Sequence, residues 1–408
     1  MTRREALGPA EWLRSSKLLT DNEASEFKIK RRFPPDFADR VFARFEAAVP
    51  VDSTHKVSSQ RVIEVDSFEP PEPPILTYPG TLPTEFELQR ISGYPIALYH
   101  VQEGKIFVGY RQSTLMLDEQ HYYHDVSSPA SKWIAPALAR APVDFSLKGT
   151  VAVMFAGGAS LFSHWMFDLL PKFYVLSRAG LTPRDIDYYV VNSTNARFCW
   201  ESLSRLGIPR QKIIQGSGCL ISGDRLVVPS AVRHRWRTPD WAREFVLATF
   251  LPDRLSDALP SVGDRIYVSR AGARRRRITN EQEVRALLES RCFHTVFPET
   301  MQVAEFAQVV RRSAHIVAPH GAGITNVVFA RSGVRVLEMF GAHIVAEGWL
   351  MTAAVGGRHY LLAGRDTSDG FPFLAVERDQ IARHLRNEAD YAVNLDDLSN
   401  ALDIMDAP

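Results

Sequence analysis

Little in this sequence points to a bridged, membrane-spanning or polyanion-coating protein. Three cysteines, Cys199, Cys219 and Cys292, are spread over 408 residues. They are too few and too scattered for a disulfide framework or a zinc site, and such usage suits a reducing compartment. No apolar run approaches the roughly 20 residues that span a bilayer. The opening MTRREALGPAEWLRSS lacks the apolar core of a signal peptide. Basic and acidic residues balance to a formal net charge of +1, so the chain as a whole has no bias toward nucleic acid or acidic membrane. No internal repeat or low-complexity tract stands out. These absences lead to the expectation of a soluble, cytoplasmic protein.

Apolar residues make up 45% of the chain, enough for large cores, and the length suggests two domains. Residues 1–90 read as an N-terminal arm, punctuated by Pro34-Pro35 and by the run Pro70-Pro71-Glu72-Pro73-Pro74. From 91 the texture changes. Ala97–Val101 and Lys105–Tyr110 read as a hairpin turning at Glu103-Gly104, with a short strand near Thr114–Leu117. His121-Tyr122-Tyr123-His124-Asp125 reads as a surface loop. Strands at Val151–Phe155, Tyr188–Val191, Lys212–Ile214 and Leu226–Val228 alternate with helical patterns, which predicts a doubly wound α/β domain over 91–239. A second such domain is expected over 240–408. Its elements are a strand at Ile266–Val268, a helix at Asn280–Glu289 capped by Thr279, a strand at Phe293–Phe297 and a helix at Ala304–Ser313.

The second domain is organised around SAHIVAPHGAGITNVVFARSGVRVLEMFG, residues 313–341. Ala314–Ala318 reads as a buried strand that Pro319 stops, having no amide hydrogen to donate. His320-Gly321-Ala322-Gly323 then turns into an apolar helix over Ile324–Ala330, and Val334–Phe340 is the next strand. Glycines lacking Cβ let a ligand approach the backbone, and the amides of the following turn suit a phosphate. His320 is placed to bind the same anion, and Glu338, at a strand end, to take ribose hydroxyls. A turn whose glycines serve packing alone explains the same pattern. Upstream, Arg274–Arg277 forms a loop of four guanidinium groups, which bind phosphate oxygens bidentately. Next to the glycine turn it suits a diphosphate better than nucleic acid, since no aromatic interleaving accompanies it.

In the first domain, Gly157-Gly158 is followed by the helical pattern HWMFDLLP. There His164 and Asp168 are four apart and share a face. They read either as an acid/base or substrate-orienting pair or as a buried histidine held by a structural carboxylate.

Three pieces, FSHWMFDLLPKFYVL at 162–176, YVSRAGARRRRITN at 267–280 and APHGAGITNVVFARSGVRVLEMF at 318–340, together resemble the family 61 glycosyltransferases. That family includes bacterial capsular-polysaccharide-type enzymes and eukaryotic O-linked N-acetylglucosamine and xylose transferases. The resemblance covers about 150–345. It implies a GT-B-like architecture, two Rossmann-type domains facing a cleft, and an inverting, metal-independent transfer from a nucleotide sugar to a hydroxyl acceptor in glycan or polysaccharide synthesis. Carried over by position, Ser269, Arg270, Arg275 and Arg276 lie near the donor diphosphate. His320, Gly321, Ala322, Gly323, Thr325 and Asn326 line the nucleotide pocket with Glu338 nearby, and His164 and Asp168 face the acceptor.

An inverting transfer needs a base for the acceptor hydroxyl and positive charge at the departing diphosphate. The base is expected to be Asp168, or His164 oriented by Asp168. No metal and no cofactor is expected: Asp185-Ile186-Asp187 precedes a strand and reads as surface. Two alternatives stand beside this reading. One is a metal-dependent hydrolase using His121, His124, Asp125, His164 and Asp168. The other is a non-catalytic nucleotide-sugar-binding protein. An N-terminal arm also leaves room for an oligomer.

Overall fold

A computed structural model describes residues 2–3, 57–108, 114–117, 143–192, 194–216, 219–234, 236–252, 263–366 and 389–408. It divides into two compact units, Met1–Asp66 with Gly93–Arg233, and Ser67–Ser92 with His234–Pro408. Strand β1 (Val57–Val65) belongs to the first unit and β2 (Ile75–Leu76) to the second. The stretch read as an arm thus takes part in both sheets from residue 57 on.

The first unit is a mixed sheet. Its strands are β3 (Tyr94–Val108), β4 (Thr114–Leu117), β5 (Val143–Met154), β6 (Tyr188–Val191), β7 (Ile213–Gln215) and β8 (Cys219–Pro229). The path runs β1-β3-β8-β5-β6-β7, with β4 on β3. From β8 to β7 neighbours are parallel, whereas β1-β3 and β3-β8 are antiparallel. Half of this unit is therefore wound as expected, and the other half is antiparallel. Val101, Ile106, Val151, Val153, Val190, Ile221 and Leu226 form its core.

The hairpin expected at Glu103-Gly104 is absent. β3 runs straight through, pairing Gln102 with Arg225 and Gly104 with Gly223, and Glu103 is a local kink with φ of 51°. The glycine answers packing rather than turning: a Cβ on Gly104 would lie 2.7 Å from Val101 Cγ1 and 2.8 Å from Leu226 Cδ1.

The second unit holds a parallel sheet with β9 (Arg265–Val268), β10 (His294–Val296), β11 (His315–Pro319), β12 (Arg335–Phe340) and β13 (Arg358–Ala363). Its order is β10-β9-β11-β12-β13-β2, every pair parallel. Five of these strands follow the 2-1-3-4-5 order of doubly wound folds, whose ligands sit outside the carboxyl ends where the order reverses. Here that point lies between β9 and β11. Arg270 follows β9, and His320 and Gly321 follow β11.

Two local expectations change. The helix runs Glu281–Ser290 with Asn280 rather than Thr279 at its N-cap position, and no side chain caps it. Asn280 is used elsewhere: its amide donates to Val393 O (2.8 Å) and accepts from Val393 N (3.0 Å). The apolar helix after Gly321 is a 3₁₀ helix, Ala322–Phe329. Thr325 Oγ1 donates to Ala322 O (2.7 Å) and Asn326 Nδ2 to Gly323 O (2.9 Å). These three-residue back-bonds favour the tighter winding.

The packing reading of Gly104 has a direct test. Gly104→Ala should destabilise the protein by about 1–3 kcal/mol in denaturant titration, the usual cost of overfilling a core. Unchanged stability would remove the packing reading.

Candidate functional site

In the first unit the segment after β5 carries His164 and Asp168. Gly158 has φ of 74°, and a Cβ there would lie 2.7 Å from His164 Cδ2, so the bare glycine lets the imidazole lie against the loop. The chain then enters a helical turn, Phe162–His164, and a π segment, Trp165–Leu169. The wide winding is seen in Leu170 N donating to Trp165 O at 2.8 Å; Pro171, which has no amide hydrogen, follows. Such π turns interrupt α-helices most often at functional sites. Trp165 anchors the segment through Nε1 to Ser202 Oγ (2.8 Å). Trp165, Met166, Phe167 and Leu169 of the segment are buried, and Asp168 is mostly so.

His164 Nδ1 and Asp168 Oδ2 are 2.7 Å apart. Arg233, in the segment after β8, grips the same carboxylate in a fork: Nε to Oδ1 and Nη2 to Oδ2, both 2.6 Å. Arg233 is 4% exposed, His164 22% and Asp168 20%. Burial alone would raise the Asp168 pKa. The Arg233 charge and hydrogen bonds, with those of His164, outweigh it and hold the carboxyl below its ordinary range. A carboxylate so engaged accepts the Nδ1 hydrogen of His164, which puts the ring's lone pair on Nε2.

Lys172 lies buried nearby, its Nζ donating to Phe155 O at 2.5 Å. Burial pushes its pKa down to about 8, against the pull of Asp168. Neither Arg233 nor Lys172 was singled out in the sequence. Arg233 sits in a run of basic residues 65 positions from Asp168, with no periodicity to link them, and Lys172 reads as an ordinary surface lysine of an amphipathic helix.

In the second unit the sequence-selected residues separate into those that face a common point and those used internally. Gly321 has φ of 154°, and a Cβ there would fall inside the Arg270 guanidinium. Arg270 thus occupies the space a side chain would take. It makes no ion pair among the described residues, its Nε is buried without a partner, and its Nη2 reaches the Arg275 carbonyl at 3.4 Å. Burial and the neighbouring Arg276 both press its pKa downward. Arg276 itself is held at φ of 56°, a strained backbone of the kind that collects at ligand sites. The amides from Gly321 to Gly323 precede the first bond of the 3₁₀ turn, Ile324 N to Gly321 O (3.0 Å), and have no acceptor within it.

Behind this point lies a buried relay. Glu338 is fully buried. His320 Nδ1 lies 2.6 Å from its Oε1 and His359 Nε2 2.9 Å from its Oε2, and His359 Nδ1 lies 2.9 Å from Thr352 Oγ1. Burial would raise the Glu338 pKa, but the two histidines lower it to about 2. With both oxygens engaged, Glu338 has none left for ribose hydroxyls, in contrast to the sequence expectation, and acts by orienting His320. His359 showed only as a polar residue within an apolar strand.

Three further corrections follow from geometry. Ser269 accepts from Ala271 N (3.1 Å) and donates to Glu281 Oε1 (2.6 Å), so it shapes the Arg270 loop rather than meeting a ligand. Arg277 is committed to Asp390 through Nε (3.0 Å) and Nη2 (2.7 Å), whereas the Arg276 charge acts on Arg270 and Arg275 meets it through its carbonyl. Thr325 is fully buried with its hydroxyl turned into its own helix. Asn326 keeps one buried oxygen, Oδ1, without a partner.

Of the hydrolase ligands, His121, His124 and Asp125 lie outside the described residues. Among the described residues no group of three or more His, Cys, Asp or Glu is placed to hold a metal ion. Asp185 and Asp187 serve the backbone, accepting from Thr182 N and Thr150 N at 2.8 Å each. No described helix is long and apolar enough to cross a membrane.

The depressed Lys172 pKa makes a prediction with a definite sign. Between about 8 and 10.5 the unfolded chain holds a proton that the folded chain has released, so stability rises with pH. Relative to Lys172→Met, the wild type should gain about 3 kcal/mol over that window, at 1.36 kcal/mol per unit, as read from paired urea titrations.

The model of the glycosyltransferase 61 family matches residues 162–337, a span that opens two residues before His164 and takes in Asp168, Arg233, Arg270, Arg276, His320 and the glycine turn. No curated protein matches the chain. This match, on top of the motifs and their placement, makes residues 162–337 similar to the glycosyltransferase 61 family and indicates a glycosyltransferase.

Proposed function

We propose that this enzyme is an inverting, metal-independent transferase that moves a sugar from a nucleotide-sugar donor to a hydroxyl acceptor, in glycan or polysaccharide synthesis within the cytoplasm. The observation that carries the donor reading is the Arg270 guanidinium lying in the place of a Gly321 side chain, with Arg276 and His320 beside it. Positive groups pressed together this closely raise one another's energy. A dianionic diphosphate relieves that repulsion, and guanidinium groups bind it bidentately.

The acceptor reading rests on His164. Asp168 is a poor base, because Arg233 holds it ionised and both its oxygens are engaged. His164 Nε2 takes the acceptor hydroxyl proton as the acceptor oxygen attacks the anomeric carbon. The bond from that carbon to the diphosphate oxygen breaks on the opposite side, its electron pair leaving with the nucleoside diphosphate, and the anomeric configuration inverts. Arg270, Arg276, His320 and the amides after Gly321 stabilise the charge that develops there, the part a divalent cation plays in other transferases. Asp168 and Arg233 fix the imidazole in the reactive tautomer. A GT-B-like arrangement of two Rossmann-type domains, 91–239 for the acceptor and 240–408 for the donor, would let the two sets of groups serve one reaction.

A thermal-shift series with UDP-, GDP-, ADP- and CMP-sugars identifies the donor, since a ligand at a thousand times its dissociation constant stabilises by about 4 kcal/mol. No stabilisation by any nucleotide sugar would remove the donor reading. His164→Ala should lower kcat by about 10²–10⁴-fold and leave donor affinity unchanged by calorimetry. Arg270→Ala and Gly321→Ala should each weaken donor binding at least about tenfold, and the double variant should bind no worse than the poorer single one. Additive losses would mean that the two residues do not act through one contact.

A further inference from the structure

Three loops leave the carboxyl ends of three adjacent parallel strands in the second unit. Arg270 and Arg276 follow β9, His320 and Gly321 follow β11, and Gly341-Ala342-His343 follows β12. The family match stops at residue 337, and the third loop was not singled out in the sequence. Its backbone is pinned: a Cβ on Gly341 would lie 2.9 Å from the Tyr391 ring, and Tyr391 donates its hydroxyl to Met339 O at 2.9 Å. This fixes where the chain delivers His343.

The His343 ring packs edge-on against that of His320, centroids 5.3 Å apart and planes at 66°. The two histidines differ in what they offer a ligand. His320 is 4% exposed, and its Nδ1 is committed to Glu338. His343 is half-buried and stands at the open side of the pair. The charged groups that act on it are His320 from the β11 loop and Arg276 from the arginine loop. No carboxylate among the described residues pairs with it, and Glu338 touches it only through His320.

We propose that His343 is a ligand of the donor diphosphate, and that it completes the charge of the site by taking up one proton from solvent as the anion enters. The inference rests on the reading of this end of the sheet as the diphosphate site and adds to it a residue and a proton. Burial, His320 and Arg276 hold the free imidazole neutral, with its pKa lowered to about 4. An anion placed among Arg270, Arg276 and the two rings reverses the sign of the local potential. The ring then gains a second N–H donor, its charge is compensated, and no bond other than that to the proton is made or broken. Donor affinity consequently rises as pH falls, by up to about tenfold per unit while the free ring stays neutral and the bound ring protonated.

The test uses the full chain labelled with ¹³C at histidine, and inorganic pyrophosphate as the probe. The His343 resonance is identified by its loss in His343→Gln. At about pH 6, saturating pyrophosphate should move that resonance from the neutral to the imidazolium position, and Arg270→Ala should prevent the change. Between about pH 8 and pH 6, wild-type affinity should rise about tenfold more than that of His343→Gln. The comparison cancels the titration of pyrophosphate itself. Binding that leaves the resonance neutral, or equal pH dependence in the two proteins, overturns the role of His343 and spares the diphosphate site. Absence of pyrophosphate binding to the wild type overturns both.

Discussion

A guanidinium can rest in the space of a missing side chain only where the backbone carries none, and the second unit of this molecule depends on that constraint. Gly321 stands at φ of 154° with Arg270 in the position a Cβ would claim. The contact needs β9 and β11 as neighbours, because each residue follows the end of one of those strands. It also needs the Ser269 hydroxyl, bonded to Ala271 N and Glu281, to shape the loop that delivers the arginine. Sheet order, loop geometry and electrostatics thus meet at one pair of residues.

Both halves use a histidine in the same way. His164 is steered by Asp168, and His320 by Glu338, each through Nδ1. The carboxylates differ in how they are kept ionised. Asp168 has an arginine fork, whereas Glu338 sits in the fully buried interior between two imidazoles. Acid affects the buried relay with a definite sign. Glu338 titrates in the folded chain at about 2, below its unfolded value, so its contribution to stability is present above about 4.5 and is lost as pH falls toward 2. His343, lowered from 6.5 to about 4, is likewise a cost on acidification, since the unfolded chain takes the proton first.

Much of this was legible before any coordinates. The apolar runs gave the second sheet nearly residue for residue, because buried parallel strands read as continuous hydrophobic stretches. The four-residue spacing of His164 and Asp168 placed them together, and the family resemblance put Arg270 and Gly321 at one diphosphate site. Other features were hidden for physical reasons. Gly104 resembles a turn glycine in sequence, and only the side chain of Leu226 across the ladder reveals why it is there. Arg233, His343 and His359 are joined to their partners by tertiary contact alone, and no local periodicity encodes such contacts. The roles read for Ser269, Arg277, Thr325 and Glu338 required knowing which of their polar atoms were already committed.

The parallel sheet of the second unit has two ends with different duties. Every group assigned to the anion leaves its strand at the carboxyl end. The opposite ends start with Arg265, His315 and Arg335, and all three reach the last helix, Leu395–Asp406, His315 Nε2 lying 3.5 Å from Asp406 Oδ1. Arg265 does so through Asp406 at 2.8 Å, and Arg335 through the Ala407 carbonyl at 2.8 Å. Sequence drift along that lower rim can loosen or tighten the closing helix without disturbing reactivity. On the donor reading proposed above, a change at that rim would register in stability, and a change in the upper loops in donor binding.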